Sequence, residues 1–177
     1  FGKQYSLRVT EALRGWGVTR GDRRVVIGIV DSGVDVNHPD LGPKIVGVYN
    51  GADGNSDVKD FVGHGTHVAG IASAITNNGV GIAGAAPDCA ILAVKVASGD
   101  SGYPSTEGIA NGIIWAADHG ADVINLSLGA GRESKAITAA VQHALRKNVV
   151  VLAATGNGSG NLKSWPALTE GVIAVGS

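Results

Sequence analysis

Five mainly apolar runs of strand length, the first of them without any polar residue, most strongly constrain how this 177-residue chain can fold. They occupy residues 25–30, 91–96, 123–128, 149–153 and 172–175. A strand that is apolar at nearly every position needs cover on both faces, as central strands of a parallel sheet have. The runs therefore predict a buried, mainly parallel sheet with helices in the connections.

Helical periodicity occurs between these runs. Residues 106–119 and 134–147 each place apolar side chains on one face, and Ser134 is the predicted N-cap of the second segment. A third helix is predicted to begin near His64 and to run through Ile75. Together these elements predict an α/β fold, a three-layer α/β/α sandwich around a mainly parallel sheet, in one domain.

Composition narrows the classes of partner. The formal net charge is −1 and no block of Lys or Arg occurs, which argues against nucleic acid. No apolar run approaches the roughly 18–20 residues of a transmembrane helix, so no membrane span is predicted. The single cysteine, Cys89, excludes a disulfide within the chain and is predicted to be a small buried apolar residue.

Three polar residues lie at the ends of apolar strand runs or shortly after them: Asp31, Ser127 and Asn157. In open α/β sheets, sites form outside the carboxyl ends of the strands. The three residues are therefore expected to lie on one rim of the sheet.

Asp31 and His64 have residue types suited to acid–base chemistry. Asp31 ends a buried strand, where a carboxylate needs a strong hydrogen-bond donor, and a histidine N–H is such a donor. His64 begins the segment His-Gly-Thr-His-Val-Ala-Gly, in which the glycine allows close approach of another backbone or a substrate. Taken alone, Asp31-Ser32-Gly33 could also be an ordinary turn.

His67 lies one turn after His64 and raises the question of a metal site. The metalloprotease pattern needs two histidines four residues apart with an intervening glutamate, and neither condition is met. His67 is instead predicted to be packed and hydrogen-bonded within the helix layer.

Asn157 lies in Ala-Ala-Thr-Gly-Asn-Gly-Ser-Gly and has two interpretations. An Asn-Gly pair readily forms a turn, whereas an asparagine on the predicted rim can donate its amide to a developing oxyanion.

A dinucleotide-binding site would need the pattern Gly-x-Gly-x-x-Gly directly after the first strand. The chain has Asp-Ser-Gly-Val-Asp there, so the sequence does not support a dinucleotide-binding protein.

Five motifs in order carry a resemblance that covers nearly the whole chain. They are D-S-G-V-D-V-N-H-P-D-L, H-G-T-H-V-A-G-I-A, G-I-A-G-A-A-P, V-I-N-L-S-L-G and A-A-T-G-N-G. The chain resembles the subtilisin family of serine endopeptidases, which implies a subtilisin-like fold and an extracellular location. By this resemblance Asp31 orients the histidine, His64 is the general base and acid, and Asn157 donates to the oxyanion.

The resemblance also assigns residues to polypeptide substrates. The stretch formed by Ser101, Gly102 and Tyr103 is expected to pair with extended substrate. Two other stretches are expected to form the walls of the primary side-chain pocket: Ser127, Leu128 and Gly129 on one side, and Ala154, Thr155 and Gly156 on the other. Small residues on both walls indicate a roomy slot for apolar or aromatic side chains. The family usually has a second glycine where this chain has Ala130.

A structural calcium ion is a further expectation from the resemblance, because oxygen-rich ligation suits Ca²⁺. Asp40 and Asn78 match the family pattern as side-chain ligands, and carbonyls are expected from Thr76, Val80 and Ile82. Gln4 is a candidate for an N-terminal ligand. The alternative is a bare Asn-Asn-Gly turn.

The family's nucleophile is a serine in a Gly-Thr-Ser-Met-Ala loop, which does not occur in these 177 residues. Ser159, Ser164 and Ser177 are in no such context. We therefore expect a fold incomplete at its C-terminus, inactive alone, with a C-terminal fragment or continuation that carries the serine. The alternative is a non-catalytic peptide-binding fragment or an inactive truncated chain.

Overall fold

A six-stranded, all-parallel sheet organises the molecule, as seen in a computed structural model that describes residues 4–158 and 164–176. The strands are β1 (Val26–Asp31), β2 (Ile45–Asn50), β3 (Ala90–Lys95), β4 (Val123–Leu126), β5 (Val150–Ala154) and β6 (Ile173–Val175). Their order is β2-β3-β1-β4-β5-β6, with every neighbouring pair parallel. Strand β1 is therefore interior, with β3 and β2 on one side and β4, β5 and β6 on the other.

Among the described residues, five α-helices lie between and before the strands. They are α1 (Tyr5–Val9), α2 (Ala12–Gly15), α3 (His64–Ser73), α4 (Thr106–Asp118) and α5 (Lys135–Arg146). The side chain of Ser134 accepts a hydrogen bond from the Ile137 N–H, which confirms the predicted N-cap of α5. The Oγ of Ser105 caps α4 in the same way through the Gly108 N–H, at 2.9 Å.

The sheet separates two apolar cores, one packed on each of its faces. Val30 and Val94 pack with α4 and α5 on one face, whereas Ile29 and Ala93 pack with α3 on the other. Alternate residues of β1 and β3 thus enter opposite cores, as successive side chains of a strand must. The predicted three-layer α/β/α sandwich is confirmed, and Cys89 is buried as expected.

Some boundaries differ from the predictions. Helix α3 ends at Ser73, two residues before the predicted Ile75. Strand β2 was not predicted, because Gly47 interrupts its apolar run and its position at the sheet edge leaves Val46 half exposed. The short helices α1 and α2 were also not predicted.

All six strands run in the same direction, so their carboxyl ends share one edge of the sheet. Asp31 ends β1, and Ser127 and Asn157 follow β4 and β5. The predicted common rim is therefore present, and we call it the active edge. Across the part of the chain that the structure describes, no helix has both the length and the apolar character needed to cross a bilayer.

Candidate active site

A short hydrogen bond joins Asp31 and His64 at the active edge. The Nδ1 of His64 lies 2.7 Å from the Oδ1 of Asp31. The Asp31 side chain is only 4% exposed, whereas that of His64 is 51% exposed. Because a carboxylate only accepts hydrogen bonds, Nδ1 carries the proton, and Nε2 of the neutral ring is left as an acceptor. This is the orientation that a general base needs.

The close approach of α3 to β1 depends on Gly65, the residue after His64. A Cβ at Gly65 would collide with the carbonyl oxygen of Gly33, two residues after the end of β1. The glycine in the His-Gly-Thr-His motif therefore permits the contact between His64 and Asp31. The Ser32 N–H also donates to Asp31 Oδ1, at 2.7 Å. Asp31 Oδ2 is buried and accepts no hydrogen bond from the described residues.

Asp60 joins the beginning of α3 to the end of β1, which sequence analysis did not predict. Its carboxylate accepts from Ser32 Oγ (2.9 Å), from the N–H groups of Gly63 (2.8 Å) and Thr66 (2.9 Å), and from the Thr66 hydroxyl (2.7 Å). Burial, the largest single influence, raises the pKa of Asp60. The hydrogen bonds led by those from Thr66 outweigh burial, and the pKa falls below its usual value.

The predicted packing of His67 was wrong. His67 is exposed, and its ring makes no hydrogen bond within the described residues. Helix α3 buries only small residues, Gly65, Ala69, Gly70 and Ser73, against the sheet side. Since His67 does not share that face, its ring extends into solvent.

A cleft of about 240 Å³ lies beside the acid–base pair. Its lining includes Asp31, His64, Gly102, Ser127 and Leu128. The structure thus brings three of the predicted substrate residues to the pair. Ser101 and Tyr103 flank Gly102 but are not in this lining, and the Tyr103 side chain is 84% exposed.

The two predicted walls of the side-chain pocket enclose a second cavity, of about 360 Å³. All six predicted wall residues and the predicted oxyanion donor line it: Ser127, Leu128, Gly129, Ala154, Thr155, Gly156 and Asn157. Ser127 and Leu128 line both cavities, so this pocket adjoins the cleft beside His64. The lining residues that the structure describes include no charged side chain.

Sequence analysis missed the residues that close this pocket at its other end. Ser164 also lines the pocket, and its Oγ donates to the Ala154 carbonyl at 3.2 Å. Ala130 and Trp165 exchange two backbone hydrogen bonds, both of 2.9 Å, across the same end. Ser164 therefore forms part of the pocket wall. Ser159 and Ser177 lie outside the described residues.

A third and more enclosed cavity, of about 420 Å³, was also missed. It shares Leu128 and Gly129 with the side-chain pocket and lies at the N-terminal ends of α4 and α5. Ile109, Ile137 and Trp165 supply apolar lining, and Arg132 and Glu133 also line the cavity. Its parts come from well-separated segments, so no local sequence signal identifies it.

The candidate calcium ligands cluster away from the active edge. Asp40 is buried, and its carboxylate accepts from the Asn78 amide (2.6 Å) and the Ile82 N–H (3.0 Å). Gln4 exchanges two hydrogen bonds with the backbone of Ala83, one residue further along.

Two other features of this cluster bear on the calcium prediction. The Thr76 hydroxyl accepts a 2.6 Å hydrogen bond from Arg20, while Val80 lines a small cavity with Gln4 and Asn78. No group of three or more His, Cys, Asp or Glu among residues 4–158 and 164–176 is arranged to hold a metal. Any calcium site here depends on amide and carbonyl oxygens besides Asp40.

Comparison with known proteins identifies the family. The model of the subtilase family, Peptidase_S8, matches residues 22–177. The chain is 46% identical to the thermophilic serine proteinase of Bacillus sp. (strain AK1) and 45% identical to thermitase of Thermoactinomyces vulgaris, over 99% of its own length in both cases. It covers 44% and 62% of those proteins, so it spans about half the length of the curated relatives it matches.

A solved structure agrees with the sequence relatives. The chain superposes on the S41 psychrophilic protease with a TM-score of 0.79 and 36% identity, covering 87% of this chain and 53% of that one. The parallel sheet, the family match and this similarity lead to one conclusion. The chain belongs to the subtilase family of serine proteases.

Proposed function

We propose that this chain is the N-terminal part of a serine endopeptidase in which Asp31 and His64 activate a serine supplied by a segment outside these 177 residues. The observation that carries the proposal is the 2.7 Å hydrogen bond from His64 Nδ1 to the buried Asp31 carboxylate. It fixes the ring so that Nε2 can take the serine proton as the hydroxyl attacks the peptide carbonyl. Asp31 then stabilises the imidazolium, which returns the proton to the leaving amine.

Asn157 is the proposed oxyanion donor. It lines the pocket that adjoins the cleft beside His64, and its side-chain amide has no hydrogen-bond partner among the described residues. An amide donor at this position would meet the negative oxygen that develops on the attacked carbonyl. The position of Asn157 on the same edge as Asp31 supports this role over a plain turn.

Two cavities support the choice of polypeptide substrate. The pocket between the Ser127–Gly129 and Ala154–Gly156 walls has no charged lining among the described residues, which suits an apolar or aromatic side chain. The more enclosed cavity past Leu128 suits a second apolar side chain of the same peptide. We assign the segment 101–103 to pairing with extended substrate, because Gly102 lines the cleft and Ala97 and Pro104 form an antiparallel bridge at its base.

Calcium binding is part of the proposal. The Asp40 carboxylate is buried and has only neutral N–H donors among the described residues, and a buried charge of this kind favours a bound cation. Asp40, Asn78 and the carbonyls of Thr76, Val80 and Ile82 would hold the ion, with Gln4 as a further candidate. The ion would supply structural stabilisation. Asn78 would have to turn its oxygen rather than its nitrogen toward the site.

We also propose that the whole protein is secreted. The chain contains no methionine and its one cysteine is buried, which suits an oxidising exterior. By name, the relatives include an extracellular and an intracellular protease. They are the halolysin-like extracellular serine protease Nep of Natrialba magadii and the major intracellular serine protease of Bacillus subtilis (strain 168). Detection of the mature protein in culture medium rather than in cell lysate tests the location.

The proposed chemistry is tested with a fluorophosphonate probe, which labels an activated serine. The 177-residue chain alone should remain unlabelled, and a mixture with a C-terminal piece that carries Gly-Thr-Ser-Met-Ala should become labelled on that piece. Labelling of a serine within the 177 residues would overturn the proposal. An assembled pair that binds peptide but is never labelled would instead favour the non-catalytic peptide-binding alternative.

A further inference from the structure

Lys95 ends β3 as a buried cation. Only 2% of its surface is exposed, and no carboxylate among the described residues lies within ion-pair distance of it, although the Asp53 carboxylate interacts with it electrostatically. Its Nζ donates to the carbonyl oxygens of Lys59 (3.0 Å) and Gly99 (2.8 Å) and lies 4.9 Å from the centre of the Phe61 ring. Every described partner of the ammonium group is therefore a loop residue.

The two carbonyls belong to different loops that meet at the cleft. Lys59 lies in the loop that leads to His64, and Gly99 lies in the loop between β3 and α4. Further along these loops, Val62 and Gly102 line the cleft beside His64. A Cβ at Gly102 would collide with Val62, so the two loops touch where they form one wall of the cleft. Lys95 lies beneath this wall.

Stability alone does not favour a lysine here. Burial of an ammonium group costs free energy unless it is hydrogen-bonded, and a linear apolar side chain of similar length would avoid that cost. Charge-assisted hydrogen bonds to two loop carbonyls, however, fix the loops relative to β3 more strongly than apolar contact can. The geometry therefore suits positioning of the loops better than it suits filling of the core.

We propose that Lys95 is a positioning residue: by holding the loops of Lys59 and Gly99 together, it shapes the cleft wall beside His64 and sets the affinity for extended peptides. This role rests on the proposed peptidase function. It concerns substrate binding rather than bond cleavage, since the Lys95 ammonium group forms no hydrogen bond or ion pair with His64 or Asp31 in the described structure.

The test compares Lys95→Met with Lys44→Met in the full-length protease. Lys44 is a matched control, because it is also buried and also donates to a carbonyl oxygen, that of Pro87, but it directly precedes β2 and so lies at the amino-terminal end of a strand, away from the carboxyl ends that form the cleft. For an extended peptide anilide, Lys95→Met should raise KM about tenfold and change kcat less than about twofold. Hydrolysis of p-nitrophenyl acetate, which does not reach the wall, should be unchanged. Lys44→Met should leave both constants unchanged.

Three kinetic outcomes would overturn the proposal. One is an unchanged peptide KM in folded Lys95→Met, another is an equal loss of kcat for peptide and ester, and the third is the same KM change in Lys44→Met. If Lys95→Met does not fold, Phe61→Leu replaces it, because Phe61 is 43% exposed and its ring contacts the ammonium group. That variant should raise the peptide KM about two- to threefold, and no rise would contradict the role.

Amide hydrogen exchange separates this proposal from the proposed function. Lys95→Met should speed exchange in residues 59–63 and 99–103 together, and Lys44→Met should not. If the wild type hydrolyses no peptide, the proposed function fails, and exchange alone decides whether Lys95 holds the loops. Unchanged exchange in both loops would then rule out that role.

Discussion

Asp31 and Lys95 are register partners at the carboxyl ends of β1 and β3. Both side chains are buried, and each forms hydrogen bonds with different groups. Asp31 accepts from His64, whereas Lys95 donates to the carbonyls of Lys59 and Gly99. No ion pair joins the two within the described structure. This separation leaves the Asp31 carboxylate available to orient the imidazole, while the cation holds the loops beside it.

His64→Ala in the full-length protease should remove nearly all peptide hydrolysis and leave the fold intact. His64 moves the proton both onto and off the reacting groups, and loss of the triad histidine in subtilisin lowers turnover by about 10⁶-fold. The measurement is kcat on a peptide anilide, with circular dichroism to confirm folding. His67→Ala is the matched control, since His67 lies one turn along the same helix and is exposed. Equal activity losses in the two variants would contradict the assignment.

Asn157→Leu should lower kcat by about 10²- to 10³-fold, the range found when an oxyanion-hole donor is removed in subtilisin. KM should change little, because the donor acts on charge that develops only in the transition state. The readout is the separate measurement of kcat and KM on one peptide. A variant that keeps wild-type kcat would return Asn157 to the role of a turn residue.

The buried strands and the active edge could be predicted because both follow from local sequence. A continuous apolar run needs cover on both faces, and parallel strands bring residues such as Asp31 and Asn157 to one edge wherever their connections pass. Strand β2 escaped prediction because Gly47 breaks its run and an edge position tolerates exposure of Val46.

Long-range contacts were not predictable in the same way. Lys95 stands out as a charge at the end of an apolar strand, but its partner Lys59 lies 36 positions away in sequence. His67 shows the converse error. Its motif suggested packing, yet the orientation of α3 is set by which small residues fit against the sheet, and His67 is not among them.

Calcium should raise the melting temperature of the protein, and a chelator should lower it. A ligand that binds only the folded state stabilises by mass action, by about 2.7 kcal/mol at 100 times its Kd. Asp40→Asn should abolish the response to calcium, whereas Asp118→Asn, at an exposed carboxylate on α4, should keep it. The measurement is a thermal scan with and without calcium, together with metal analysis by mass spectrometry. No bound metal and no response to chelation would remove the site.

Acidification should destabilise the junction between α3 and β1 through Asp60. Because hydrogen bonds lower the pKa of folded Asp60 below its ordinary 3.8, the unfolded chain takes up the proton first as the pH falls. The stabilisation is therefore fully present above the unfolded pKa and is lost as the pH drops through the folded value. In Asp60→Asn the free energy of unfolding should be lower near pH 7 and should fall less steeply below pH about 4.

The variant Asp118→Asn is a control for the titration of surface carboxylates in general, because Asp118 is an exposed carboxylate. Its pKa is also lowered, chiefly by the hydrogen bond from Lys147 and then by that from His143, but this cluster is on the surface. Added salt should therefore weaken the contribution of Asp118 and leave that of the less exposed Asp60 nearly unchanged, because salt screens exposed charges most. Urea unfolding from pH 3 to 7, at low and high salt, measures both variants against the wild type. If Asp60→Asn follows the wild-type pH dependence throughout, its carboxylate does not hold α3 against β1.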